Sequence, residues 1–83
     1  MGKYFTYVLQ SQSKLRYYIG SCSDIEQRLA RHNRAAVRAT KYGVPWKLIY
    51  VEEYDTRQQA YRREREIKSY KGGEAFKKLL KLS

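Results

Sequence analysis

Cysteine and histidine are nearly absent from this sequence, which contains one of each, Cys22 and His32. A single cysteine excludes a disulfide within the chain, and this composition suits a reducing compartment. A zinc site would need ligands other than these two residues, because protein zinc is usually held by four side chains. The sequence therefore gives no support to a disulfide scaffold or to a Cys/His zinc centre.

Long apolar segments are also missing. No run approaches the roughly 20 consecutive apolar residues that a membrane-spanning helix needs. Met1, Gly2 and Lys3 lead directly into a strand-like pattern, so we expect no signal peptide. We accordingly expect no membrane partner.

Acidic residues are scarce, with 8 Asp and Glu against 18 Lys and Arg, for a formal net charge of +10. Such a charge attracts polyanions, nucleic acid first and an anionic membrane second. Nine tyrosines add side chains that can both stack on bases and form hydrogen bonds. Nucleic acid is the favoured ligand, and a merely basic protein is the alternative.

The pattern of apolar residues predicts one α/β (α+β) domain over residues 1–83, with a small sheet flanked by helices. Its hydrophobic content of 42% is sufficient for a folded core. Runs rich in β-branched and aromatic residues predict three strands, at residues 4–9, 16–20 and 46–54. Helical periodicity and capping residues predict three helices, from Ser23 to about residue 32, from Asp55 to about Lys71, and over residues 74–82.

The first helix carries two candidate functional residues, Arg28 and His32. They lie four residues apart, each three residues after the apolar Ile25 and Leu29, so both project along the edge of the buried face. A surface arginine and a structural histidine are the simpler readings. Their pairing just after the strand that ends at Gly20 favours a functional role.

The segment between residues 33 and 45 predicts a basic loop that faces nucleic acid. It carries three cations, Arg34, Arg38 and Lys41. Lys and Arg neutralise backbone phosphates, which provides most of the affinity in non-specific binding. A solvated basic loop is the alternative.

The second helix carries a glutamate within its apolar stripe. Ala60, Glu64 and Ile67 fall at i, i+4 and i+7, whereas Glu66 points elsewhere among arginines and predicts a surface ion pair. A carboxylate in the stripe is costly unless a metal, an arginine or hydrogen bonds compensate it. Glu64 is therefore a candidate metal ligand, with a structural partner role as the alternative.

These residue types favour phosphodiester cleavage. We expect Tyr7, Tyr18, Arg28, His32 and Glu64 to converge on one face of the domain. One carboxylate can hold Mg²⁺ when waters and a substrate phosphate complete the shell, and an arginine can neutralise charge on the phosphate. A tyrosine or the histidine can position or deprotonate the attacking water.

The same residues resemble the GIY-YIG nuclease superfamily, particularly its small stand-alone bacterial members, over nearly the whole chain. Tyr18-Ile19-Gly20 matches the YIG motif, and Tyr7 stands eleven residues before Tyr18. Arg28 and His32 stand eight and twelve residues after Gly20, and His32 is followed by an asparagine as in many stand-alone members. Glu64 matches the glutamate of the later helix.

The resemblance implies a three-stranded antiparallel sheet flanked by helices and an endonuclease that hydrolyses DNA with one Mg²⁺ or Mn²⁺ ion. It implies Glu64 as the metal ligand, Arg28 as the charge stabiliser and Tyr7 as the general base or its helper. Tyr18 would orient water or phosphate, and His32 would contact phosphate or relay a proton. Gly20 would be required for its backbone at the nucleic-acid site.

The biological setting is likewise an expectation from the resemblance. It implies a monomer or weak dimer in the bacterial cytoplasm, associated with the nucleoid and with DNA repair or processing. A repair-protein partner is a further expectation.

Three departures from the family pattern qualify the resemblance. Phe5-Thr6-Tyr7 replaces Gly-Ile-Tyr, no asparagine follows Glu64, and no accessory DNA-binding domain is evident. Three readings therefore stay open. They are a metal-dependent endonuclease, selective for DNA structure; a non-catalytic nucleic-acid-binding module; and an accessory subunit that acts only with a partner.

Overall fold

A computed structural model describes residues 2–81, which form a three-stranded antiparallel sheet and three α-helices. The predicted α+β class is confirmed. The elements are, in order, β1 (Tyr4–Ser11), β2 (Tyr17–Cys22), α1 (Ile25–Asn33), a 3₁₀ helix (Lys41–Gly43), β3 (Trp46–Tyr54), α2 (Arg57–Ser69) and α3 (Glu74–Lys81). Leu82, the predicted end of the last helix, lies outside the described residues.

The sheet has the order β2-β1-β3, so β1 is the central strand and β2 forms one edge. Tyr7 pairs with Gly20 on one side and with Val51 on the other. The β1–β3 ladder shifts register between Val8 and Leu9. Because successive side chains in a strand point to opposite faces, the sheet divides the interior into two cores.

The first core lies between the sheet and α1. Its members are the buried residues Tyr7, Leu9, Cys22 and Trp46, against which Phe5, Tyr18, Ile25, Leu29, Val44 and Leu48 pack. The second core lies between the sheet and the helices α2 and α3. It is centred on Val8, Ile67 and Phe76, with Ile19, Ile49, Tyr50, Tyr70, Leu79 and Leu80 around them. Residues on one face of the sheet therefore belong to a different environment from their sequence neighbours.

The first two helices begin one residue later than predicted, because a different side chain caps each of them. Asp24, and not Ser23, caps α1: it has extended backbone angles and its side chain accepts a hydrogen bond from the third residue of the helix at 3.0 Å. Thr56, and not Asp55, caps α2 and forms a complete capping box with the third residue of that helix. Asp55 is instead engaged by the ammonium group of Lys3. Side-chain caps of this kind satisfy otherwise unpaired backbone N–H groups.

Candidate active site

The site begins where β1 and β2 bring Tyr7 against Gly20. Tyr7 is 1% exposed, and a Cβ atom at Gly20 would lie 2.5 Å from its hydroxyl oxygen and 3.1 Å from the ring of Tyr18. Real Cβ atoms do not tolerate contacts of 2.5 Å. Glycine is thus required at position 20 because the phenol of Tyr7 occupies the space of a side chain.

A hydrogen-bonded chain runs from Tyr7 through His32 to Thr40. The hydroxyl oxygen of Tyr7 lies 3.2 Å from Nε2 of His32, and Nδ1 of His32 lies 2.7 Å from Oγ1 of Thr40. All three side chains are almost fully buried. The ring of Tyr18 lies against the same histidine, with 4.8 Å between ring centroids. His32 is therefore interior to the site and not at the rim of the buried face.

Arg28 reaches the same group from α1. It lines a small apolar cavity together with Tyr7, Leu9 and Leu48, and it is partly exposed. A guanidinium in this position stabilises negative charge on the Tyr7 oxygen or on an anion bound beside it. The i to i+4 spacing of Arg28 and His32 thus aims both residues at one tyrosine.

Tyr7 and His32, the two titratable groups of this hydrogen-bonded chain, are both neutral at ordinary pH. Burial raises the pKa of the Tyr7 hydroxyl, Tyr18 adds to this effect, and the charge of Arg28 partly opposes it. Burial, followed by the charges of Arg28 and Arg31, lowers the pKa of His32 to about 4. A neutral imidazole has one nitrogen that donates and one that accepts.

The partners at each end assign the direction of the chain. Arg28 can only donate hydrogen bonds, so it cannot accept one from the Tyr7 hydroxyl. Within residues 2–81, His32 Nε2 is within hydrogen-bonding distance, so the Tyr7 hydroxyl donates to it. His32 then carries its proton on Nδ1 and donates it to Thr40. The Thr40 hydroxyl in turn donates a hydrogen bond to the carbonyl of Val37, at 3.4 Å. The histidine is thereby poised as an acceptor toward Tyr7.

Thr40 is the member of the Tyr7–His32–Thr40 hydrogen-bonded chain that was not predicted from the sequence. It lies within the basic loop, eight residues after His32, and its backbone carbonyl accepts a hydrogen bond from the Trp46 indole at 2.8 Å. The nearest sequence signal is the presence of a hydroxyl side chain in a loop after a histidine. That signal has no fixed spacing, because the loop path sets the contact.

The predicted basic loop is held firmly at both ends. The side chain of Asn33, the last residue of α1, donates to the Trp46 carbonyl at 3.1 Å and accepts from the Trp46 backbone N–H at 2.5 Å. Gly43 is packed so closely that a Cβ there would lie 2.4 Å from the indole ring of Trp46. Residues 41–43 form a 3₁₀ turn, so this segment is an ordered loop.

The three cations of the loop project to solvent. Arg34, Arg38 and Lys41 are all exposed, and the ammonium of Lys41 lies 4.9 Å from the ring centroid of the exposed Tyr42. The Tyr7–His32–Thr40 chain itself is buried. No contact in the structure tests their predicted role in binding nucleic acid.

Glu64 lies on the opposite face of the sheet from Tyr7. Its side chain is 12% exposed and ion-paired with Lys68 at 2.7 Å. Its other carboxylate oxygen accepts a hydrogen bond from the hydroxyl of Ser21 at 2.7 Å. Ser21 directly follows Gly20 in β2, so the carboxylate is one strand position from the Tyr7 contact but across the sheet.

Glu66 differs from Glu64 in orientation. Its carboxylate pairs with Arg63 at 3.0 Å and accepts from the Tyr70 hydroxyl at 3.2 Å, and the pair with Arg63 lowers its pKa. The predicted surface ion pair of Glu66 is confirmed. The two glutamates of α2 are thus clearly distinguished by their surroundings.

The structure therefore brings together five of the predicted residues and separates Glu64 from them. Tyr7, Tyr18, Gly20, Arg28 and His32 form one group between the sheet and α1. Glu64 is outside this group, because alternation along β2 directs its partner Ser21 to the other face. Within residues 2–81, no three His, Cys, Asp or Glu side chains cluster as a metal site.

Comparison with known proteins identifies the family of this chain. Residues 3–77 match the family model described as the GIY-YIG catalytic domain. The chain belongs to the GIY-YIG family. It is 35% identical to the UPF0213 protein SSP2268 of Staphylococcus saprophyticus, over 84% of this chain and 85% of that protein. It is 37% identical to a UPF0213 protein of Staphylococcus aureus strain Mu3, with the same coverage of each chain.

Membership of the GIY-YIG family implies a nuclease-type function with DNA as substrate, and nucleases of this family generally use divalent metal ions. The predicted family and fold are confirmed by the match and by the sheet topology. In the described part of this GIY-YIG chain, no helix has the length and apolar character needed to cross a bilayer.

Proposed function

We propose that this protein is a divalent-metal-dependent endonuclease that hydrolyses DNA phosphodiester bonds, using Mg²⁺ or Mn²⁺. The observation that carries the proposal is the buried Tyr7–His32–Thr40 chain beside Arg28, because this hydrogen-bonded chain can accept a proton next to a cation. A core built only for stability would not need three buried polar side chains joined by hydrogen bonds at this position.

The proton path follows from the assigned direction of the hydrogen bonds. As the oxygen of a water molecule attacks phosphorus, one of its protons passes to the Tyr7 oxygen, and the phenolic proton passes to His32 Nε2. The P–O bond to the leaving sugar oxygen breaks, and that oxygen takes a proton from solvent. Tyr7 is then the immediate base and His32 the final acceptor, so the proton needs both residues.

Arg28 and Tyr18 act on the phosphate in this proposal. The guanidinium of Arg28, whose charge acts on the Tyr7 hydroxyl, neutralises charge that develops on the phosphoryl oxygens. Tyr18, whose ring lies against His32 and 6.3 Å from the ring of Tyr7, orients the water or a phosphate oxygen. Gly20 leaves the space that brings the backbone of β2 close to both.

Glu64 fits the family's metal. Its donor set is a carboxylate with a neighbouring hydroxyl oxygen from Ser21, which suits a hard cation that keeps most of its waters, Mg²⁺ or Mn²⁺. The carboxylate already attracts a cation, the ammonium of Lys68, whose side chain is 52% exposed and can swing away. A bound ion would supply Lewis-acid stabilisation of the phosphate and the leaving oxygen.

Because β2 is an edge strand, groups on the two faces of the sheet could act on one ligand. Gly20 faces Tyr7 and the next residue, Ser21, faces Glu64, and the outer side of β2 has no partner strand within residues 2–81. We propose that the scissile phosphate lies against this edge, where groups from both faces can reach it. Arg34, Arg38 and Lys41 would then hold the flanking DNA by its phosphates.

The wider setting is part of the same proposal. As a DNA nuclease, the protein would act in the bacterial cytoplasm at the nucleoid, in repair or processing of DNA of particular structure. Selection of a substrate would depend on the basic surface or on a repair-protein partner. The alternative is a nucleic-acid-binding module, which the same positive surface would also support.

A cleavage assay with a matched pair of glutamate variants tests the proposal. End-labelled single-stranded, duplex, flap and branched DNA would be incubated with Mg²⁺ or EDTA and with wild type, Glu64→Gln or Glu66→Gln. We expect metal-dependent cleavage that falls by at least about 100-fold in Glu64→Gln, because metal stabilisation is worth several kcal/mol. Glu66→Gln, on the same helix, should cleave like wild type.

Three outcomes would contradict parts of the proposal. Cleavage by Glu64→Gln at the wild-type rate would refute the metal role of that residue. Absence of cleavage on every substrate, with salt-sensitive DNA binding intact, would favour the binding module. Recovery of cleavage only after addition of a cell extract would favour the partner-dependent subunit.

A further inference from the structure

We infer that the outer face of α2 holds an unpaired DNA strand that leads to Glu64. The inference rests on the proposed function for the identity of the ligand. This face of the helix borders a groove of about 470 Å³ between β2 and α2, and the groove is lined by Ser21, Arg57, Gln58 and Tyr61. We call it the α2 groove. It lies on the opposite side of the sheet from the Tyr7 group.

One stripe of α2 provides the chemistry of the groove. Arg57, Tyr61 and Arg65 fall at i, i+4 and i+8, so they line one face of the helix. Tyr61 is 49% exposed and belongs to neither core. A half-exposed tyrosine between two arginines combines a stacking surface for a base with charges for the phosphates on either side.

The arginines already hold aromatic rings in place. The Arg65 guanidinium lies 5.9 Å from the ring centroid of Tyr61 and donates to its hydroxyl at 3.3 Å. The Arg57 guanidinium lies 5.3 Å from the ring centroid of Tyr4, which lines an adjoining cavity. Neither arginine forms an ion pair within residues 2–81, so no carboxylate in this part of the chain neutralises their charges.

The acidic groups of α2 do not cancel this charge. Glu66 is paired with Arg63 and Glu64 with Lys68, on other parts of the helix surface. Ser21 lines the groove and donates to Glu64, so the groove ends beside the candidate metal ligand. A strand seated on Tyr61 would therefore pass its backbone toward that carboxylate.

The stacking contact is tested by binding in EDTA, which requires no cleavage. Fluorescence anisotropy would measure the affinity of a labelled oligothymidine for wild type, Tyr61→Leu and Tyr61→Phe. We expect Tyr61→Leu to lose about fivefold or more, since base stacking is worth at least about that factor per base. Tyr61→Phe should bind like wild type. Tyr17→Leu, at 48% exposure on β2, is the matched control and should also bind like wild type.

The phosphate contacts are tested by salt dependence. The double variant Arg57→Gln/Arg65→Gln should lower the slope of log affinity against log salt by about 1.4, at about 0.7 per single-strand phosphate contact. Arg62→Gln, on the same helix but outside the groove, should change it less. An affinity of Tyr61→Leu within twofold of wild type, or an unchanged slope in the double variant, would overturn the inference. Strand binding lost as expected without any cleavage by wild type would support the groove while refuting the nuclease proposal.

Discussion

The buried neutral imidazole of His32 predicts that acid destabilises the protein well before the carboxylates titrate. The side chain is 1% exposed, and burial with the charges of Arg28 and Arg31 holds its pKa at about 4, against 6.5 in an unperturbed peptide. Between these two values the unfolded chain binds a proton that the folded chain does not. Stability must therefore fall as the pH decreases through this window.

The magnitude follows from the difference between the two pKa values of His32. A difference of about 2.5, at about 1.36 kcal/mol per unit, gives a full effect of about 3 kcal/mol. The contribution is fully present above pH 6.5, is reduced by about 2 kcal/mol at pH 5 and is lost below pH 4. Losses of this size are a large fraction of the 5–15 kcal/mol that typically stabilises a domain.

Urea denaturation followed by circular dichroism measures the effect. Wild type and His32→Gln would be compared at pH 7.5, 6.0 and 5.0, and the sequence has no other histidine to confuse the result. The pKa values of Glu52, Asp55 and Glu66 are lowered by their cationic partners or hydrogen bonds, so their stabilisation is lost mainly below this range. If wild type and His32→Gln lost stability equally between pH 7.5 and 5.0, the buried neutral state of His32 would be wrong.

Three substitutions probe the surroundings of this histidine. Gly20→Ala should cost about 1–3 kcal/mol in urea denaturation, because its Cβ would overlap the Tyr7 hydroxyl. Thr40→Val should cost about 1–3 kcal/mol by leaving the Nδ1 proton of His32 without an acceptor, and nitrogen-15 spectra of the imidazole should show a changed tautomer population. Asn33→Ala removes two hydrogen bonds to the backbone of Trp46 and should lower stability by about 1–3 kcal/mol, measured as the urea midpoint.

Two of these substitutions, Gly20→Ala and Thr40→Val, have an internal control. Gly2→Ala, at a glycine with no atom within 4 Å of the new Cβ, should leave stability unchanged. Thr40→Ser keeps the hydroxyl and should retain the wild-type tautomer. Equal tautomer populations in Thr40→Val and wild type would contradict the assigned hydrogen-bond direction. A neutral Gly20→Ala would contradict the close approach of Tyr7 to position 20. A neutral Asn33→Ala would show that its two hydrogen bonds to Trp46 add little stability.

The elements of the fold were predictable because local pattern determines them. β-branched and aromatic runs predict the strands, and the i, i+3, i+4 stripe that contains Ile25 and Leu29 predicts α1. The group of Tyr7, Tyr18, Arg28 and His32 followed from strand pairing and helical spacing, which depend on short-range geometry. Helix starts were predicted one residue early, because Asp24 and Ser23 both have capping side chains and the backbone decides between them.

Two features of the site depend on tertiary packing and were not predictable from the sequence. Thr40 meets His32 because Trp46 and Asn33 fix the path of the connecting loop, and no residue spacing encodes that path. The expectation that Glu64 shares a face with Tyr7 ignored the second face of the sheet. Helical periodicity gives the buried side of α2 but not the face of the sheet against which that side packs.

The separation of Glu64 from Tyr7 gives a physical reason for the edge position of the Tyr18-Ile19-Gly20 strand. In a central strand, partners on both sides would block an approach from the rim, and groups on opposite faces could not share one ligand. In an edge strand, consecutive residues such as Gly20 and Ser21 address opposite faces while the rim stays open. On the proposed function, a phosphodiester at this rim would meet the proton acceptor from one face and the metal ligand from the other. Attacking and leaving oxygens in an in-line displacement also lie on opposite sides of phosphorus, so a site divided by a strand edge suits that geometry.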